Sequence, residues 1–365
     1  MAINAEMFVV IVVFIIAALL CTEYIWLYII SNRQEEILIR SGQYDSDIHT
    51  MLEAILSSPT LQAKSEEMDN LFEYIGNDYE KFDITVRKLL QLFKRYKDFP
   101  AEKQDALRLL YERLSPIQTY KAYFEQSNPY QKGYICRRFA DFKAVDELEL
   151  IRKCLNSKNK DLQYNAAMAL SELSDEEYVL NFIKMCEDNR KYSHRVIIEL
   201  LDLYTGDKAS LVMKAFDTAS DYMKATLIKG VADDKLEPLE HIYLEGMKST
   251  NTEIKIACVK ALSKMAQPRH EHELIIALND KNWVVRASAI HGLQKINTSA
   301  AIAVVEHATG DEEWWVRQIA ARALTKMDFD MSHVEAVLSG YDKYASDAVR
   351  SSLYRMVDMR GGGQK

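Results

Sequence analysis

The residues best placed to do chemistry are cations that recur at fixed steps. Arg195, Lys224, Lys255, Arg286, Arg317 and Arg350 follow one another at intervals of 29 to 33 residues. Five residues after members of this set stand Lys229, Lys260, His291, Arg322 and Arg355, and nine after stand Lys264, Lys295 and Lys326. The last two sets are four residues apart, so in helical conformation they share one face, and stacking would extend them into a basic stripe. The chemistry of such a stripe is noncovalent: it suits an acidic protein segment, a phosphorylated ligand or anionic headgroups. A plain solvated helix face is the competing reading. For the first set the expectation is structural, a bridge to an Asp of its own or a neighbouring turn, with Asp280 and Asp311 at hand.

Trp283 and Trp314 occupy equivalent positions, with Trp315 beside the second. They would form either an aromatic platform for a partner or the filling of a seam between units. Arg269-His-Glu-His-Glu273 holds metal-capable side chains, but the cluster stands once in the chain, so no metal is expected there. The sequence contains no HExxH, GxSxG, P-loop or GxGxxG, so no catalytic residues and no cofactor are assigned, and the chain is read as a non-enzyme. The five cysteines are scattered and lack CxxC spacing; they read as small buried hydrophobes in a reducing compartment.

The elements that must carry these residues are helices in a repeat. Asp280-Lys-Asn-Trp-Val-Val-Arg-Ala-Ser-Ala-Ile-His-Gly-Leu returns 31 residues later as Asp311-Glu-Glu-Trp-Trp-Val-Arg-Gln-Ile-Ala-Ala-Arg-Ala-Leu. A period of this length means stacked supersecondary units. Aligned on Arg286, further copies centre on Lys255, Lys224, Arg195, Gln163 and Lys132 upstream and on Arg317 and Arg350 downstream, about eight units in all. With 12 Gly and 6 Pro in 365 residues, the composition agrees with a mostly helical chain. A net charge of -8 excludes a surface built throughout for nucleic acid.

The pattern Asp-x-x-x-x-Val-Arg-x-x-Ala-x-x-x-Leu, preceded by an apolar helix such as Glu273-Leu-Ile-Ile-Ala-Leu278, resembles the short HEAT repeat of phycocyanobilin-lyase-like proteins. That resemblance implies an all-α, right-handed solenoid of helical hairpins, with the second helices on the inner surface. Stacking should bury Val285, Ala289 and Leu293 of one unit against Val316, Ala320 and Leu324 of the next. Proteins of this group look like accessory partners of membrane enzymes such as polysaccharide synthases.

Met7 to Ile30 is a 24-residue apolar run with one charge, long enough to cross a hydrocarbon core of roughly 30 Å as a helix. It is expected to be an uncleaved transmembrane helix preceding the solenoid. Arg33 and Arg40 follow it and no Lys or Arg precedes it, which places the amino terminus outside and the solenoid in the cytoplasm. Glu23, inside the run, is a candidate contact with another membrane segment or a group reaching nearby headgroups. Residues 31–63 are expected to form a stalk, 64–130 degenerate or capping helices, 131–358 the array and 359–365 a flexible tail. The function expected is a membrane-tethered scaffold or accessory subunit that binds a protein partner. A groove-based enzyme or chromophore- or metal-handling protein, and binding of anionic lipid beside the anchor, are the alternatives.

Overall fold

The short turn signals and the 3.6-residue apolar period are answered by helices throughout; among the described residues there is no strand. The computed structural model describes residues 5–189 and 192–361, the side chains of 5–15, 17, 188, 189 and 357–361 excepted. Two compact units divide between Tyr123 and Phe124.

The first unit begins with α1 (Ala5–Ser57), which runs unbroken through the stretches expected as anchor and stalk. Its carboxyl end is core: Ile48, Leu52, Ile55 and Leu56 are buried at helical spacing, and this end packs on α2 (Leu61–Ile75), α3 (Tyr79–Lys94) and α4 (Ala101–Leu114). Residues 48–56, expected in the stalk, are therefore part of the unit. α1 stops at Ser57, ahead of Pro59, and the Thr60 hydroxyl accepts from the Ala63 amide to begin α2. Gly76 ends α2 with φ of 51°, a left-handed turn that a side chain would strain. On α5 (Pro116–Gln126), the buried Tyr120 hydroxyl donates to Asp83 at 2.7 Å.

The amino-terminal half of α1 is different. Leu19 and Leu20 are each 60% exposed and Trp26 63%, so apolar side chains project from every side of a helix with no core against it. Among the described residues no helix is long and apolar enough to cross a membrane. Of the expected span Met7–Ile30, the side chains of residues 7–15 and 17 lie outside the described residues, as does most of the expected tail.

The second unit is an all-α solenoid of paired helices. The first helices are α7 (Leu148–Cys154), α9 (Glu176–Asn189), α11 (Lys208–Phe216), α13 (Glu240–Gly246), α15 (Glu271–Ala277), α17 (Ser299–His307) and α19 (Ser332–Ser339). The second helices are α6 (Pro129–Asp141), α8 (Lys160–Glu172), α10 (His194–Leu203), α12 (Asp221–Val231), α14 (Thr252–Met265), α16 (Trp283–Ile296), α18 (Trp314–Met327) and α20 (Lys343–Gly361). Lys132, Gln163, Arg195, Lys224, Lys255, Arg286, Arg317 and Arg350 fall one to each second helix. Second helices pack on one another at every step from α6 to α20, while first helices meet more loosely. A stack spaced more tightly on one side curves toward that side, which makes the second-helix layer the inner one.

Three devices hold that layer together. Val285, Ala289 and Leu293 of α16, and Val316, Ala320 and Leu324 of α18, are each at most 1% exposed, and the two helices pack together. Small residues let backbones approach: a Cβ on Gly292 would stand 2.6 Å from Leu274 and 3.2 Å from the Ser263 backbone, and one on Gly230, at the same register, 2.6 Å from Leu201. Hydroxyls at a third register bond the next second helix, Ser171 to the Leu200 carbonyl at 2.5 Å, Ser263 to the Ser288 carbonyl at 2.7 Å, and Thr325 to the Ser352 hydroxyl at 3.0 Å. Each such bond satisfies a buried hydroxyl while locking helix register.

The recurring cation ties one unit to the next at Lys255, Arg286 and Arg317. Lys255 Nζ lies 2.7 Å from Asp280. Arg286 bonds Asp311 through Nε at 2.8 Å and Nη2 at 2.7 Å, while its Nη1 donates to the Asp280 and Lys281 carbonyls. Arg317 Nη1 donates to the Asp311 carbonyl at 2.7 Å, and its guanidinium stacks 5.4 Å from the Tyr344 ring centre. Burial alone would raise the Asp280 carboxyl, yet the Lys255 ammonium and the Asn282 amide hold it below its ordinary value. The structural reading of Arg286 is thus seen directly.

Cys136 and Cys154, 18 residues apart in sequence, meet across α6 and α7 with sulfurs 3.9 Å apart, and both are free thiols. Donation to Cys154, then burial, pushes the Cys136 thiol up.

Arg286 and Asp311 have side chains only 8% and 12% exposed, so breaking the pair strands a charge. Asp311→Ala is expected to destabilise the array by about 3 kcal/mol, and Arg286→Met with Asp311→Leu to restore much of that loss. Urea unfolding followed by circular dichroism measures both; a shift below about 1 kcal/mol for the single variant would reduce the latch to a bystander.

Candidate docking surface on the second helices

The +5 and +9 cations leave the inner layer from consecutive helices: Lys229 from α12, Lys260 and Lys264 from α14, His291 and Lys295 from α16, Arg322 and Lys326 from α18, and Arg355 from α20. Each helix places its pair on one face because the two positions are four apart, and the stacking above sets the helices side by side. A depression of 360 Å³ lies between α14 and α16, with Lys260 and Lys264 on one wall and His291 and Lys295 on the other.

These groups are not equally free. Lys229 pairs with Glu253 at 2.8 Å and Lys264 with Asp233 at 2.6 Å. Lys295 Nζ donates to the Ser263 and Lys264 carbonyls, closing the end of α14. Arg322 Nε turns back to its own helix at the Gln318 carbonyl, and Arg355 bonds the Gln318 and Ser351 side chains. Among the described residues, Lys260, His291 and Lys326 hold no ion pair or hydrogen bond through their side chains.

The electrostatics show that the cations converge. Crowding by its surroundings, then the charges of Arg322, Lys295 and Lys326, hold the exposed His291 imidazole below its ordinary value. Partial burial, then Lys235 and Lys264, lower Lys295, with Asp233 opposing. Positive groups from three units therefore act on one patch, and an anion placed there relieves repulsion as well as gaining attraction.

Lys235 and Asp233 belong to this patch but carry no periodic signal, since both lie in the loop after α12, where Lys235 adopts φ of 52°. Only the fold brings that loop beside Lys264 and Lys295. Two further depressions, over α10 and α12 and over α12 and α14, share His194, Tyr222 and Thr226 with each other. Tyr222 stands at the same register as Trp315, two residues before the recurring cation, so tracking aromatics along the repeat as closely as cations finds it.

The tryptophans stand apart from the cations. Trp283 is 39% exposed, Trp314 49% and Trp315 52%. They open α16 and α18, so they line one edge of the layer, about 12 Å along the helix axis from His291. The Trp314 and Trp315 rings pack edge to face at 4.6 Å. Glu23 is exposed on α1. In the Arg269 to Glu273 cluster, His270 is buried; its Nδ1 accepts from the Gln267 amide and its Nε2 lies 3.1 Å from Glu240, which also pairs with Arg269. Among the described residues no three His, Cys, Asp or Glu side chains are grouped to hold a metal ion.

HEAT repeats are found in this chain: the profile of that family matches residues 242–325 and 271–356. No curated protein matches the chain in sequence. Among solved structures it is similar to human deoxyhypusine hydroxylase in complex with glycerol, at 12% identity over 80% of this chain and 99% of that one, with a TM-score of 0.30. It is also similar to Kap121p, at 12% identity over 85% and 45% with a TM-score of 0.39, and to Kap121p bound to RanGTP, at 13% identity over 87% and 49% with a TM-score of 0.38. The chain spans about half the length of Kap121p.

Because His291 is depressed first by burial and then by its cationic neighbours, Arg322 foremost, Arg322→Gln is expected to raise its titration midpoint part of the way toward the ordinary value near 6.5. The sign for stability follows: below that value the unfolded chain takes a proton that the folded chain resists, so this residue favours folding less as pH falls. Histidine ring NMR through pH 5 to 8 reads the midpoint. An unchanged midpoint in Arg322→Gln would separate His291 from the patch.

Proposed function

We propose that this protein is a membrane-tethered scaffold or accessory subunit whose inner, basic second-helix surface docks an acidic segment of a membrane-protein partner. The observation that carries the docking reading is the convergence of cations around His291 on a chain whose net charge is -8. Among the described residues Lys260 and Lys326 form no ion pair, although the Glu253 carboxylate feels the Lys260 charge, and both ammonium groups could receive carboxylates of a partner. A HEAT-repeat solenoid supports it, since stacked helical pairs build extended concave surfaces suited to partners.

For the tether, the supporting feature is α1. A helix bearing Leu19, Leu20, Trp26, Leu27 and Tyr28 exposed on all sides is costly in water, and the span from Met7 to Ile30 suits a bilayer. Arg33 and Arg40 after it favour a cytoplasmic array, with Tyr24, Trp26 and Tyr28 near the inner interface. Such an anchor raises the local concentration of the docking surface around other membrane proteins, so that even a modest individual affinity suffices. Glu23 is then a candidate polar contact with the partner's own span.

Two measurements test the two halves. Expressed in cells, the full chain is expected to stay in the membrane fraction through alkaline carbonate washing, and a chain starting at Ser31 to be released. If both versions wash off together, the anchor reading fails. In detergent extracts, the full chain should co-purify stoichiometrically with a membrane protein, and Lys260→Glu/Arg322→Glu/Lys326→Glu should lose that partner by at least tenfold. Equal recovery with the triple variant would remove the docking surface from consideration, and binding of anionic vesicles without a protein partner would reassign the cations to lipid.

A further inference from the structure

The cysteines are not alike. Cys186 and Cys258 fit the reading of small hydrophobes: both are buried, and burial pushes each thiol up to about 12. Cys21 is exposed on α1. Cys136 and Cys154 differ from these in facing one another, with sulfurs 3.9 Å apart and the Cys136 thiol donating.

Their surroundings give the two sulfurs different reactivity. Cys136 lies within α6 and is 0% exposed. Cys154 is the last residue of the short α7 and is 7% exposed, so it is the one that a small oxidant meets. Lys132 stands one turn before Cys136 on the same face of α6, and its positive charge acts on Cys154. Donation from Cys136, opposed by burial and helped by the Lys132 ammonium, holds the Cys154 thiol below its ordinary value. The thiolate is the nucleophilic form of sulfur, so the more accessible member of the pair is also the activated one.

We propose that Cys136 and Cys154 form a redox-active dithiol, a modification site at which a peroxide makes an intramolecular disulfide between α6 and α7. One hydrogen peroxide suffices. The Cys154 thiolate attacks the O–O bond and keeps one oxygen as a sulfenic acid, while the other oxygen leaves as hydroxide and takes up the proton that Cys154 lost, giving water. The Cys136 sulfur then displaces the sulfenic oxygen to form the S–S bond, and its own proton leaves with that oxygen as a second water. Two thiols and one peroxide become one disulfide and two waters, and two electrons pass from the sulfurs to the peroxide. A small dithiol such as dithiothreitol reverses the step by exchange.

The sulfurs must close from 3.9 Å to about 2.05 Å. Rotation of both side chains contributes, and because α7 ends at Cys154 while α6 packs chiefly on α8, the remaining shift falls on a helix end and spares the stack. The new bond spans the 18 residues between the two cysteines, including the left-handed turn at Lys143, where φ is 51°. It joins the second helix of one unit to the first helix of the next and restricts the unfolded chain there. The inference draws on neither the docking nor the tether reading.

The test uses the full chain carrying Cys21→Ser, in detergent, treated with one equivalent of hydrogen peroxide, alkylated before and after reduction, and read by peptide mass spectrometry. A peptide pair joined through Cys136 and Cys154 is expected, with both thiols lost together, both recovered by dithiothreitol, and loss about tenfold faster than at Cys186 or Cys258. In Cys136→Ser the Cys154 sulfenic acid should persist and be trapped by dimedone, whereas Cys154→Ser should leave Cys136 unreacted. Lys132→Met should slow disulfide formation by roughly threefold. The joined pair is read with both cysteines in place, so the outcome stands even where a serine variant fails to fold. If Cys136 and Cys154 are oxidised no faster than Cys186 and Cys258, or are found joined only to cysteines of another chain, the dithiol is overturned and the pair returns to core packing.

Discussion

Everything in the array depends on one constraint: a single pair of short helices cannot enclose a core. α15 with α16 has Leu274, Ala289 and Leu293 at 0% exposure only because neighbouring pairs cover them. The exposed second face of each hairpin is the binding face for the next. Repetition is thus a thermodynamic requirement, and the residues that repeat most strictly are those that complete the neighbour. Alanine, glycine and hydroxyl registers let α14, α16 and α18 approach, and the cation at Arg286 fastens the loop that follows. The bidentate pair to Asp311 also satisfies carbonyls at Asp280 and Lys281, so one guanidinium serves three backbone and side-chain partners from two units.

The same constraint produces the candidate docking surface. Once the second helices are forced side by side, any side chain recurring at one register becomes a row. Rows of cations repel, and that repulsion adds to burial in depressing His291 and Lys295. Part of it is offset locally: Lys229, Lys264 and Lys295 are drawn into bonds with Glu253, Asp233 and the end of α14. Lys260 is felt by the Glu253 carboxylate, and among the described residues neither Lys260 nor Lys326 forms an ion pair. A surface that retains such unrelieved charge is poised for an anion, because binding removes a penalty already present in the free protein.

Legibility differed sharply between residues. The apolar set Val285, Ala289, Leu293 and its copy in α18 could be placed from sequence because core positions obey the helix period and reappear every 31 residues. The division of labour at Arg286 was equally readable, since Asp280 and Asp311 stand at its own and the following turn. Lys235 and Asp233 were not, because the loop after α12, which carries a left-handed turn at Lys235 and brings Asp233 to Lys264, follows no period. Nor was the meeting of Cys136 and Cys154, which lie 18 residues apart on the two arms of α6 and α7. The expected stalk held an apolar cluster at Ile48 to Leu56 set in a polar stretch, and only the packing of α2 to α4 on it made these residues core.

The sequence by itself determined the periodic architecture, the identity of the stacked core and the register of the recurring cations, because these follow from helical spacing multiplied by a constant repeat length. It also marked the apolar stretch before Ser31 as unlike the rest of the chain. Only the tertiary structure decided which cations are drawn into bonds with neighbours, how far the tryptophan edge lies from them, and that Lys260, Lys264, His291 and Lys295 line one depression between α14 and α16. Those properties depend on distances between residues of different units and on loops outside the repeat, and such distances exist only after the helices have stacked. That holds for the pair read first as chemistry and then as structure: Arg286 and Arg317 hold the units together, and the charge left for a partner sits five and nine residues beyond them.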